Sequence, residues 1–161
     1  MTVDQYNQSV DNYADNLYRF VVKNTHDPDK AKDIVQDSYE KLWLKIETVT
    51  YEKVKSYLFT TAYHTLIDVI RRDKKFLNYD IITPDNHFHY EEFTDLNEIL
   101  HKAIKQLPEV QQSVVLLRDY EGYSYEEIGE ITGLTESQVK VYIFRARTFL
   151  KNYIGSIESV I

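Results

Sequence analysis

The sequence predicts an all-α chain: two small helical domains joined by a linker, the second a four-helix domain with a helix-turn-helix. Three observations carry this. Apolar residues recur at three- and four-residue steps through both halves of the chain. That periodicity fails once, between Lys74 and Phe93, a stretch holding Asn78, Pro84 and Asn86. Only 4 Gly and 3 Pro in 161 residues leave little material for a many-turned β-protein. The expected boundaries are 1–75 for the first domain, 76–93 for the linker and 94–161 for the second domain.

In the first half, Tyr13, Leu17, Phe20, Val21 and Asn24 mark one helix. Asp27-Pro28 opens a second, since Asp caps and Pro suits the first turn. Its inward stripe reads Ala31, Ile34, Val35, Tyr39, Leu42, Trp43 and Ile46; Asp33, Gln36, Asp37 and Glu40 lie opposite. A polar loop, Glu47 to Glu52, precedes a third helix from about Lys53 to Arg72. Val54, Leu58, Ala62, Leu66, Val69 and Ile70 face inward there. The linker is expected to carry short packed pieces around FLNY and IITP.

The second half restarts near Thr94 with Leu96, Ile99, Leu100, Ala103, Ile104 and Leu107 on one stripe. Pro108 breaks it and opens a helix holding Val110, Val114, Val115 and Leu117, which ends at Glu121-Gly122. Ser124 with Glu127, and Thr135 with Gln138, fit capping boxes that open the last two helices. Gly133 fits the turn between them.

The last helix carries the main functional signal. Between Glu136 and Glu158 the chain has no carboxylate, yet holds Lys140, Arg145, Arg147 and Lys151. Val139, Ile143, Ala146, Leu150 and Ile154 form the buried stripe, with Tyr142 toward that side. Lys140, Arg147 and Lys151 lie opposite, flanked by Ser137, Val141, Phe144, Arg145 and Thr148. Apolar side chains on a cationic face suit thymine methyls, while Arg and Lys suit phosphates and guanine edges. A second capped helix behind a glycine turn has a defined groove-docking geometry. The bland alternative is a solvated basic face that also favours the helix dipole.

Composition bounds the rest. A hydrophobic content of 43% argues for packed cores, and the absence of cysteine excludes disulfides and thiolate metal sites. The polar, acidic N-terminus is unlike a signal or transit peptide, and no apolar run approaches the ~20 residues of a membrane span. A soluble cytoplasmic protein is expected. A net charge of -7 opposes duplex DNA, so a partner must supply much of any DNA affinity. No nucleophile–base–orienter set and no glycine-rich phosphate loop is present. His87 and His89 lack a further ligand set, so neither metal nor cofactor is expected, nor enzymatic activity.

From about Tyr13 to Tyr153 the chain resembles bacterial RNA polymerase sigma factors of the extracytoplasmic-function type. DPDKAKDIVQDSYEKLW is similar to the polymerase-binding segment, region 2.2. KSYLFTTAYHTLIDVIRR is similar to the segment that opens and reads the −10 element. AIKQLPEVQQSVVLLRDYEGYSYEEIGEITGLTESQVKVYIFRARTFL is similar to region four, which reads the −35 element. The resemblance implies that Asp33, Gln36, Asp37 and Glu40 bind core RNA polymerase, at the β′ clamp, with β a further partner. It assigns Tyr57, Thr60, Thr61, His64, Arg71 and Arg72 to the −10 element, beside Asp68 and with Lys53 further up. The loop Glu47 to Glu52 lies where the family captures a flipped base. It assigns Ser137, Lys140, Val141, Phe144, Arg145, Arg147, Thr148 and Lys151 to −35. Promoter DNA and an anti-sigma factor are the other implied partners, and no further domain is expected after the last helix. Tyr57 and Tyr63 suit either exposed stacking on unpaired bases or burial with a wet hydroxyl. Tyr57 stands where Trp is common in the family, His64 where Asn is common, and Val141-Tyr142 replaces a frequent Ser-Arg pair.

Two other readings compete. A stand-alone dimeric helix-turn-helix regulator would need its own duplex affinity, against an acidic chain. A helical adaptor without DNA activity leaves Val141 and Phe144 beside arginines unexplained.

Overall fold

A computed structural model describes the backbone of residues 1–77 and 95–158, and the side chains of 1–75 and 97–156. The stretch from Asn78 to Thr94, with Pro84, His87 and His89, lies outside the described residues, as does the side chain of Leu96.

The first module is α1 (Val3–Thr25), α2 (Pro28–Leu44) and α3 (Val54–Leu77), with a short 3₁₀ turn (Tyr51–Lys53) leading into α3. α1 begins far earlier than its apolar stripe suggested. Thr2 and Gln5 form a reciprocal capping box, so the polar segment before Tyr13 is helical. Asp27 caps α2 through the Asp29 and Lys30 amides, with Pro28 in the first turn. Leu17, Phe20, Val21, Ala31, Ile34, Leu42, Leu58 and Leu66 are buried between the three helices. Lys30 pairs with Asp73, tying the start of α2 to the end of α3.

Two further details differ from the sequence reading. α3 runs to Leu77, so the first two residues of the expected linker are helical. Trp43 is 46% exposed rather than inward. It stands at the border of the buried stripe near the end of α2, where Tyr6 packs edge-on at 5.2 Å and covers one side of it.

The second module is α4 (Asp95–Lys105), α5 (Glu109–Val115), a π turn (Leu116–Tyr120), α6 (Tyr125–Thr132) and α7 (Glu136–Glu158). Pro108 stands at the α5 N-cap. Val114, Val115, Leu116, Leu117, Ile128, Ile131, Val139, Ile143 and Ala146 close its core.

The modules pack against each other, and one continuous buried cluster spans both. α3 buries two faces to make this possible. Leu58, Ala62 and Leu66 face α1 and α2, whereas Phe59, Tyr63 and Ile67 are also buried. Phe59 lies between Phe20 (5.5 Å) and Tyr123 of the second module (5.3 Å). Of the two open tyrosines, Tyr63 is therefore buried, while Tyr57 is half-buried.

A polar knot sits beside this apolar seam. The Asn24 side chain donates to Phe20 O at 2.7 Å and accepts from Ser113 Oγ at 2.8 Å. Gln112 Nε2 donates to Asn24 O at 2.9 Å. All three side chains are buried, and their mutual satisfaction offsets the cost of removing them from water. At the rim, the Arg19 guanidinium donates twice to Glu121, at 3.0 and 2.9 Å. The Lys23 ammonium lies 3.7 Å from the Tyr120 ring centre.

Candidate functional site

The helix-turn-helix is built by local chemistry. Ser124 and Glu127 form the capping box that opens α6. Gly133 ends it in a left-handed conformation at φ 79, which a residue with a side chain adopts only with strain. A Cβ on Gly129 would meet Leu134 O at 2.9 Å, so glycine lets the turn fold back onto α6. Thr135 N donates to Gln138 Oε1 at 3.0 Å and Gln138 N to Thr135 Oγ1 at 3.1 Å, which opens α7.

With Val139, Ile143 and Ala146 buried, α7 is pinned in rotation. Ser137, Lys140, Val141, Phe144, Arg145, Arg147, Thr148 and Lys151 are all exposed. At 100° per residue they share an arc of about 160°. Phe144 is 71% exposed and Val141 45%, so neither belongs to the core. The cations are not equivalent. Arg147 is clamped by Asp119 of the π turn, at 3.2 and 2.5 Å, and the clamp raises its pKa further. Lys140 lies 3.4 Å from Glu136 one turn back. Among the described residues neither Arg145 nor Lys151 has a carboxylate partner.

On the first module, the loop before α3 and the start of α3 enclose a hollow of about 390 Å³. Thr48, Thr50, Lys53, Ser56, Tyr57 and Thr60 line it. Tyr57 and Thr60 thus line one hollow, and Ser56 joins them. Ser56 carries no periodic signal, and the sequence reading did not include it. Thr61 is half-buried, and His64 and Arg72 are exposed. The His64 ring packs edge-on against Tyr63 at 5.5 Å. Arg71 points across the seam: its Nε donates to Glu109 Oε1 at 3.3 Å.

The acidic strip on α2 is also on the surface. Asp33, Gln36 and Glu40 are exposed; Asp37 is half-buried and pairs with Lys41 at 3.0 Å. The same face continues into Trp43 and Leu44, the latter 77% exposed. The strip therefore ends in an apolar step.

Residues 10–76 match the sigma-70 region 2 family and residues 97–150 match sigma-70 region 4. RNA polymerase sigma factor YlaC of Bacillus subtilis is 32% identical over 148 residues, covering 86% of either chain. The chain belongs to the RNA polymerase sigma factors of the extracytoplasmic-function type. The extracytoplasmic-function sigma factor SigM of Bacillus subtilis is 28% identical over 159 residues, covering 94% of each. Among solved structures, sigma factor RpoE of Bartonella quintana, in complex with the anti-sigma factor NepR, superposes with a TM-score of 0.79. It is 25% identical, and the match covers 95% of this chain and 98% of that one.

This sigma factor binds core RNA polymerase and directs promoter-specific initiation. No helix among the described residues is long and apolar enough to cross a membrane.

Proposed function

We propose the following division of labour among the residues. Asp33, Gln36, Asp37 and Glu40 grip a basic surface of core polymerase, the β′ clamp, and the adjoining Trp43–Leu44 step adds apolar contact. The hollow beside Tyr57 and Thr60 receives an unpaired −10 base, with His64, Arg71 and Arg72 along the departing strand. α7 enters the major groove at −35 with Ser137, Lys140, Val141, Phe144, Arg145, Arg147, Thr148 and Lys151. Asp119 orients the Arg147 guanidinium for a planar contact. The chain performs no catalysis of its own and works in the cytoplasm, where polymerase and chromosome meet. An anti-sigma protein holds it inactive, as the RpoE complex suggests by analogy.

The observation that carries this reading is the face of α7, where a capped, core-pinned helix leaves Val141 and Phe144 uncovered among cations. The test is transcription in vitro with purified core polymerase and genomic promoter fragments. Initiation from a defined subset is expected. Asp37→Arg should abolish core binding with the fold intact, and unchanged core affinity would move the docking surface elsewhere.

A further inference from the structure

Of the four basic residues near the C-terminal end of α3, Arg71, Arg72, Lys74 and Lys75, two are held by the other module. Arg71 Nε donates to one Glu109 oxygen at 3.3 Å and Lys74 Nζ to the other at 2.7 Å. We propose that Glu109 is an internal stand-in for promoter phosphate, a latch that favours the shut chain and occupies Arg71 and Lys74 in competition with nucleic acid. The latch rests on the assignment of α3 to the −10 element.

The geometry is that of an anion site. Both carboxylate oxygens are used, each by a different cation, as a bridging phosphate would use them. The Glu109 side chain is only 20% exposed, fixed at the first residue of α5, whereas Arg71 and Lys74 reach in from solvent. Lys74, with help from Arg71 and against burial, holds the carboxyl below its ordinary range, so the anion is present at neutral pH.

The latch is coupled to the whole seam. Glu109 lies three residues before Gln112 and four before Ser113, which grip Asn24. Beyond them lie the Phe59–Tyr123 contact and the Arg19–Glu121 pair. Separating the modules breaks these contacts together, so a ligand that takes Arg71 and Lys74 from Glu109 favours opening. By linkage, anything that opens the chain frees the two cations for DNA. Exposed ion pairs are individually weak. The latch therefore tunes an opening equilibrium and does not lock it.

The chain has no cysteine, so dyes can be placed on cysteines introduced at exposed Gln8 and Gly155, one on each module. Single-molecule energy transfer then reads opening, and binding of a duplex with a central unpaired bubble reads access to α3. Glu109→Gln and Glu109→Arg, with helicity verified by circular dichroism, should enlarge the open population. They should tighten bubble binding about three- to tenfold at low salt. Glu126→Gln, which removes the same charge from an exposed position on α6, should change neither. In a background lacking Arg71 and Lys74, Glu109→Gln should add nothing.

Equal gains from Glu126→Gln, or no change in either readout for both Glu109 variants, would overturn the latch while normal transcription left the sigma assignment standing. Failure of every variant to transcribe with core polymerase, with opening still increased by Glu109→Gln, would do the reverse.

Discussion

At the scale of single residues, His26 shows how the seam constrains chemistry. It caps α1 in a left-handed conformation, φ 57, the one such non-glycine position among the described residues. Its ring meets Gln112 Oε1 at 3.2 Å and the His101 ring at 4.9 Å. Burial pushes its pKa down to about 4; the Gln112 bond opposes this, and His101 and Lys105 add to it. An unfolded histidine titrates near 6.5, so below that pH the unfolded chain binds more protons than the folded one. His26 therefore costs nothing above pH 6.5, and stability falls as pH drops from about 6.5 to about 4, by at most about 3 kcal/mol. His26→Asn keeps a residue tolerant of positive φ and removes the titration. Urea midpoints at pH 7 and pH 4.5 should differ less for the variant than for the wild type; equal acid losses would place the sensitivity on other groups. None of this was visible in the sequence. The helix stop at Thr25 is local, but the partners of His26 lie 75 and more residues away.

At the scale of elements, legibility follows the range of the forces involved. The α6–turn–α7 unit was readable because its devices are local: two capping boxes of four residues, one left-handed glycine and one buried stripe along a single helix. The capping box at Thr2 and Gln5 was equally local, but the polar segment after it lacked an apolar stripe to draw attention to it. The second buried face of α3 was not readable. Phe59, Tyr63 and Ile67 are buried as well, and Phe59 meets Tyr123 of the second module. These distinctions separate two substitutions on the helix-turn-helix. Gly129→Ala forces a Cβ to within 2.9 Å of Leu134 O and should lower stability by about 1–3 kcal/mol, read by thermal melting. Phe144→Ala, on an open face, should leave the melt within about 0.5 kcal/mol yet reduce initiation from promoters that depend on −35. A destabilised Phe144→Ala variant would mean that this ring packs against something in the free chain.

For the whole molecule, charge and closure act in the same direction. The net charge of -7 repels the phosphate backbone, and the shut arrangement occupies Arg71 and Lys74 while leaving the α7 face open. The free chain should bind duplex promoter DNA weakly, with a shallow salt dependence, and bind well only with core polymerase, which brings both modules to DNA at high effective concentration. Fluorescence anisotropy over a salt series checks this; tight, sequence-specific binding by the free chain would favour a stand-alone regulator. Composition, helix count, most caps and the exposed cationic stripe of α7 were determined by the sequence alone, because helix signals act over one or two turns. How the modules meet was decided only in three dimensions. Arg19 finds Glu121 across 102 residues and Gln112 finds Asn24 across 88, and no local pattern specifies which buried polar groups will satisfy one another at such separations.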